Sequence, residues 1–350
     1  RNRGAVLACR SRRRGGGVLM GRGGGRGWRW GWARTALGLD LGSRAVKLVE
    51  LGCRGRGPWF LRSHHRAALP HGAVVDGQIL QFDAVAAAVR ALLERAHPQS
   101  QGVVMAVPAK NVIQRRTHLP ARMHDAELAV HLEAEAASLA SIPVEELAVD
   151  FAVIGAVAGS PAQWDVQMAA TRKDRVDERV ALAQALGLEP LAVESGPNAT
   201  RWALLDWSRR REPSAADPVQ ALFELGPDSL VLHVMADDEL LFETAVQFPA
   251  DWGRQPGLGP ARAVALEWAR MLQLYYARFP ACAISRVLLA GESDSPEALS
   301  KAVAASTGVK AEWIDPFEHR QPGLAADLGD SAVGAAGYLQ ACGLALRGLG

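Results

Sequence analysis

The chain has 350 residues, 49% of them hydrophobic, and a formal net charge of +2. That is enough apolar material for one large or two medium cores, which excludes a chain disordered throughout. The charge is unevenly placed: residues 1–36 carry ten arginines and no acid, which leaves −8 on residues 37–350. An acidic body argues against a nucleic-acid groove on the fold itself, because phosphate backbones demand a basic stripe.

Cys9, Cys53, Cys282 and Cys342 are far apart and lack the C-x-x-C or Cys/His spacing of a zinc site. Free thiols fit a reducing compartment, and no run approaches the ~20 apolar residues of a membrane span. Residues 1–35 are arginine and glycine with clustered tryptophan, too polar and too irregular to build a core. They also lack the apolar stretch of a signal peptide. An RGG-like arm that stacks on bases is one reading; the preferred one is an open reading frame extended upstream of a true start at Met20.

Ala36–Asp40 and Ala45–Leu51 are apolar runs around the turn Leu41-Gly42-Ser43-Arg44, the pattern of a hairpin. Asp40 ends the first strand, Gly42 lets a ligand approach the backbone, and Ser43 adds a hydroxyl. The turn could hold a phosphate and its magnesium, or be a D-x-G-S hairpin with no ligand. Residues 58–66 read as a third strand. A helix follows, with Phe82, Val85, Val89, Leu92 and Leu93 at helical spacing until His97-Pro98 closes it. Residues 102–108 and 112–119 read as two strands of one sheet. A helix over 126–139, strands over 147–155 and 164–171, and a helix over 173–186 ending at Gly187 complete a compact α+β unit, 68–188.

A strand at 191–194 and a helix from Asn198 to about Arg210 precede the charged linker RRREPSAADP. The opening pattern then returns: strands at 221–224, 230–235 and 240–248, with turns at Gly226-Pro227-Asp228-Ser229 and Ala236-Asp237-Asp238. Two such units imply two related lobes with a ligand between their turns. Helix 261–278, strand 284–290, helix 296–308, strand 309–314 and helix 334–347 give the rest an α/β alternation. His64-His65 have no third ligand at metal spacing and read as surface polar residues. Arg115-Arg116 could receive an acidic partner or form a solvated strand face. Ser195-Gly196 lacks the G-x-S-x-G frame of a hydrolase.

The ordered segments LGLDLGSRAVKLVEL, VVMAVPAKNVI, AELAVHLEAEAASLASIPVEELAVDFAVIG, VQMAATRKDRVDERVALAQALGLEP, VLLAGES and GLALR together resemble the PilM family of type IV pilus assembly proteins. The resemblance covers residues 36–347 and not the arm. It implies an actin-like, FtsA-related α/β fold of two lobes, 36–67 with 189–212 and 218–350, and an extra subdomain at 68–188. It also implies an ATP cleft: Asp40, Gly42, Ser43 and Lys47 in the first phosphate segment, Glu224 and Gly226 in the second, Gly291 in the adenosine segment, and magnesium at Asp40, directly or through water. The implied partner is the cytoplasmic amino-terminal tail of a PilN-like inner-membrane protein, with other inner-membrane pilus proteins beside it. The expected location is therefore cytoplasmic, peripheral to the inner membrane, without direct insertion; a homo-oligomer stays open.

Three departures from that family weaken the ATP expectation. Glu224 stands where the family has an aspartate, moving the carboxylate outward by roughly 1 Å, a displacement that costs about a hundredfold in rate in comparable cases. Glu292 replaces a glycine and is expected to crowd and repel a phosphate. Pro249-Ala250-Asp251-Trp252-Gly253 stands where the family has a glycine pair and a threonine. Hydrolysis is expected to be slow at most. The alternatives are a sugar-type small-molecule kinase of the same superfamily, for which no general-base aspartate stands out, and a degenerate scaffold that binds no nucleotide.

Overall fold

The computed structural model describes residues 33–55, 57–210, 219–226, 229–236, 239–248, 259–318, 327–328 and 334–350. The arginine–glycine arm up to residue 32, the linker from residue 211, the tips of both turns in the second half and the Pro249–Gly253 segment lie outside the described residues.

Strands β1 (Ala33–Leu41), β2 (Ala45–Arg54) and β3 (Trp59–Ala68) form an antiparallel meander. A small hairpin, β4 (Val74–Val75) and β5 (Gln78–Ile79), leads to α1 (Phe82–Ala96), and β6 (Gly102–Val107) returns parallel to β1. The unbroken apolar run of β6 has a direct cause: both of its faces are covered. Val103 and Met105 pack with Val85, Val89 and Leu92 of α1, while Val104 and Ala106 face the opposite way.

The chain then leaves this sheet. Strands β7 (Val112–Pro120), β8 (Leu147–Val157) and β9 (Ser160–Arg172) form a separate antiparallel sheet in the order β7-β9-β8. Helix α2 (Asp125–Ala140) covers it, burying Leu128, Leu132 and Ala136 against Leu147, Val166 and Met168. Residues 102–108 and 112–119 are therefore not partners in one sheet. The separately packed α+β unit is also narrower than 68–188, since α1 and β6 belong to the first sheet. Helix α3 (Lys173–Ala185) and strand β10 (Glu189–Ser195), parallel to β6, return the chain to that sheet before α4 (Gly196–Arg210).

The second half repeats the plan. Strands β11 (Val219–Leu225), β12 (Ser229–Ala236) and β13 (Glu239–Gln247) form a meander, followed by α5 (Pro260–Arg278). Strand β14 (Arg286–Gly291) runs parallel to β11, and after α6 (Pro296–Thr307) β15 (Ala311–Trp313) runs parallel to β14. A two-residue strand, β16 (Asp327–Leu328), crosses back to pair with β3. The last element opens as a 3-10 turn, Ala335–Tyr338, and continues as α7 (Leu339–Leu349). The orders β3-β2-β1-β6-β10 and β13-β12-β11-β14-β15 are the same arrangement twice. The result is a two-lobed α/β fold with an inserted α+β unit.

Helices α4 and α7 lie between the two sheets. One core joins Ala36, Val49 and Leu61 of the first sheet, Leu204 and Trp207 of α4, Leu222 and Leu288 of the second sheet, and Leu339 and Ala345 of α7. The outer faces are sealed by α1 and α3 on one side and by α5 and α6 on the other. His64 and His65 are not surface residues: they are 6% and 3% exposed. The His64 ring stacks on Phe317 at 5.3 Å and meets the edge of Tyr338 at 4.6 Å, so it serves as an aromatic filler between first-sheet strand β3 and the C-terminal segments.

Candidate functional site

The two β-hairpins that begin the lobes close in the same way. In the first, the Gly42 N–H donates to the Ala45 carbonyl at 3.0 Å; in the second, the Gly226 N–H donates to the Ser229 carbonyl at 2.9 Å. A Cβ on Gly226 would stand 2.8 Å from Ser229 Oγ, and one on Gly42 would stand 3.1 Å from the Ala45 carbonyl, so each turn is tight. The acid two residues before each glycine is held by a helix from the other half of the chain. Gln340 Nε2 of α7 donates to Asp40 Oδ1 at 2.6 Å, and Thr200 Oγ1 of α4 donates to Glu224 Oε2 at 3.2 Å.

Asp40, Lys47 and Arg66 are register partners across β1, β2 and β3 and so share one face of the sheet. Burial raises the Asp40 carboxyl above the ordinary range, opposed mainly by the Lys47 charge and reinforced by Glu224 and Glu292. Lys47, Glu224 and Glu292 all act electrostatically on Asp40, so the four side chains lie near one another. Next to Asp40, the Ser43 hydroxyl is buried without a hydrogen-bond partner.

Glu224 is engaged by a neighbouring histidine. Its carboxylate lies 3.5 Å from His233 Nε2, and His233 Nδ1 lies 3.3 Å from Glu243 on the next strand. Burial alone would depress His233, but its close contacts with the two acids and their charges lift it to about 9. Burial likewise works to raise Glu224, yet the His233 contact carries it below the ordinary carboxylate range. The imidazole set between two carboxylates is a structural device of the sheet that no sequence motif announces.

Gly291 has φ +101, and a Cβ there would fall 1.9 Å from the Leu225 carbonyl oxygen, so only glycine fits this turn. The next residue, Glu292, donates its N–H to Leu225 O at 3.2 Å and turns its carboxylate to the opposite lobe. Glu292 Oε1 lies 2.8 Å from Lys47 Nζ and Oε2 lies 3.5 Å from Arg66. Lys47 also donates to the Gly337 carbonyl at 2.8 Å. Sequence reasoning has Glu292 repel a phosphate; in the structure its carboxylate is paired with Lys47 and with Arg66, the partner that motif reading missed. The register of the β2/β3 hairpin, which sets Arg66 opposite Lys47, was the signal that could have found it.

The other candidates are accounted for. Arg115 pairs with Glu135 at 2.7 Å, and Arg116 Nε donates to both Asp165 oxygens at 2.8 and 2.9 Å. Both arginines are thus spoken for within the fold. Ser195 is buried, and its Oγ accepts from Gln114 and from the Asn198 N–H, a bond at the start of α4. Among the described residues no group of three or more His, Cys, Asp or Glu is placed to hold a metal ion. Magnesium at this cleft would need oxygens from its ligand as well as from Asp40.

Residues 38–255 and 258–349 match the model of a protein family described as type IV pilus assembly protein PilM. The chain belongs to the PilM family. The match begins at Gly38 and ends at Leu349, so it spans both hairpins and the inserted unit and excludes the arm. Among solved structures, a PilM-PilN type IV pilus biogenesis complex superposes with a TM-score of 0.71 at 23% identity, covering 90% of this chain and 98% of that one. A protein of actin-like ATPase fold and unknown function from Bacteroides thetaiotaomicron matches at a TM-score of 0.47 and 8% identity, over 81% and 91% of the two chains. The ethanolamine utilization protein EutJ from Carboxydothermus hydrogenoformans matches at 0.44 and 13%, over 89% of each.

Proposed function

We propose that this PilM-family chain is a cytoplasmic scaffold of the type IV pilus assembly machine that binds the cytoplasmic amino-terminal tail of a PilN-like inner-membrane protein. The observation that carries this reading is the family match over residues 38–349. The fold shared with a chain of a PilM-PilN type IV pilus biogenesis complex supports it. Attachment to the membrane then runs through the partner. The test is calorimetry of the protein with the cytoplasmic tail peptide of a PilN-like protein from the same genome. Saturable one-to-one binding that a scrambled peptide does not reproduce is the expected result; no binding by either overturns the reading.

Toward ATP and magnesium the cleft is divided. The first hairpin fits: Asp40 is a hard oxygen ligand at a strand end, and the unpartnered Ser43 hydroxyl can donate to a phosphate. The second lobe does not: Glu224 is turned to His233, and Glu292 holds the lysine a phosphate would need. ATP with magnesium is therefore proposed as a weak ligand, with Asp40 taking the ion directly or through water and with turnover slow at most. Wild-type protein in millimolar Mg-ATP should show a small rise in Tm that Asp40→Ala removes. A rise that survives the substitution takes Asp40 out of the site.

A further inference from the structure

Lys47 and Arg66 stand directly opposite each other on neighbouring antiparallel strands. Two cations in that relation repel unless an anion lies between them. In a cleft built for nucleotide the anion is a phosphate. Here it comes from the protein itself. Gly291 turns the end of β14, Glu292 follows, and its two carboxylate oxygens are divided between Lys47 and Arg66. The three side chains are 14%, 27% and 29% exposed for lysine, arginine and glutamate, so the cluster is shielded and not a solvated surface pair.

The cluster also reaches a third element. Lys47 Nζ binds the Gly337 carbonyl, in the 3-10 turn that leads into α7, and Gln340 of α7 binds Asp40. One lysine therefore ties the first sheet, the end of a second-sheet strand and the entry of the helix packed between the sheets. Burial opposes the ionisation of Glu292, yet the Lys47 and then the Arg66 contacts hold its carboxyl below the ordinary range. The carboxylate stays charged where a phosphate would be charged.

We propose that Glu292 is a built-in substitute for a ligand phosphate: bound to Lys47 and Arg66, it latches the two lobes in a closed cleft without nucleotide. This rests on the nucleotide-cleft reading of the same residues given above. Its consequence is regulatory: the closed form, which nucleotide would otherwise have to select, is held in the ligand-free chain. Nucleotide enters only by displacing Glu292.

The test is hydrogen exchange by mass spectrometry on the full chain, wild type and Glu292→Gln, with and without inorganic pyrophosphate. The glutamine keeps the size of the side chain and removes its charge. Peptides covering 286–300 and 334–346 should exchange at least about fivefold faster in the variant, the effect of losing a shielded ion pair. Pyrophosphate should restore protection in the variant, have little effect on wild type, and lose its effect when Lys47→Met is added. Equal exchange in wild type and Glu292→Gln overturns the latch. Faster exchange that neither pyrophosphate nor Mg-ATP reverses keeps the latch and removes the nucleotide-cleft reading, so the two ideas fail separately. Tail-peptide affinity without nucleotide, retained by wild type and reduced in Glu292→Gln, is the further expected result.

Discussion

His233→Ala is expected to destabilise the protein by about 3–5 kcal/mol, the range for removing one partner of a buried charge cluster. His233 is 3% exposed on the middle strand of the second meander, with Glu224 on one side and Glu243 on the other. Without the imidazolium the two carboxylates are left on adjacent sides of a vacated buried space, and each would have to take a proton or repel the other. The pH dependence has a definite sign. A histidine raised from 6.5 to about 9 in the folded state stabilises fully below pH 6.5, and that stability is lost as pH rises through about 9. The shift corresponds to about 3 kcal/mol. Urea midpoints for wild type should fall between pH 6.5 and 9, while those for His233→Ala should lack that fall. Parallel profiles for the two proteins would show that His233 is neutral in the fold.

The hairpin at residues 36–51 was legible because a tight turn and apolar strands leave a strong local signature, and its partner at 221–235 was legible because it repeats that signature. The core helices were legible for the same reason: Val85, Val89 and Leu92 repeat with the helical period and are buried with it. Sheet membership was not legible. An apolar run such as 102–107 states that both faces are covered but not by what, and its true neighbours are β1 and β10 rather than the strand that follows it. His64 illustrates the same limit from the polar side, since Phe317 and Tyr338 reach it from the far end of the chain. The cleft was half legible. Asp40 and Gly42 sit in a recognisable turn, whereas the partners of Glu224 and Glu292 depend on cross-strand register and on the approach of two lobes. Glu292, expected from sequence to repel a phosphate, is in its surroundings also the counter-ion of Lys47 and Arg66.

The other large effect concerns the helix pair between the sheets. Gly38 lies under α7, and a Cβ there would sit 2.0 Å from the Ala341 carbonyl oxygen; a Cβ on Gly343 would sit 1.8 Å from the Ala199 carbonyl oxygen. Both collisions are with backbone, so no rotamer change relieves them. The helices can only move apart, and α7 carries Gln340 and adjoins Gly337, the residues that hold Asp40 and Lys47. Gly343→Ala should therefore cost about 3 kcal/mol or more. It should also weaken binding of Mg-ATP and of the tail peptide, although it touches neither cleft hairpin. Gly348→Ala, on the same helix, is the informative contrast: its Cβ would meet the Ala36 Cβ at 2.7 Å and the Val104 side chain at 3.3 Å. The Ala36 Cβ has no torsion to relieve the contact, so β1 or α7 must shift slightly; but the overlap at 2.7 Å is much smaller than at 1.8 Å, so its cost should be the smaller of the two, within about 1–3 kcal/mol. Thermal unfolding of the two variants decides the point. If Gly343→Ala unfolds at the wild-type temperature, α4 and α7 are not in contact along this seam, and the path from the helix packing to the cleft does not exist.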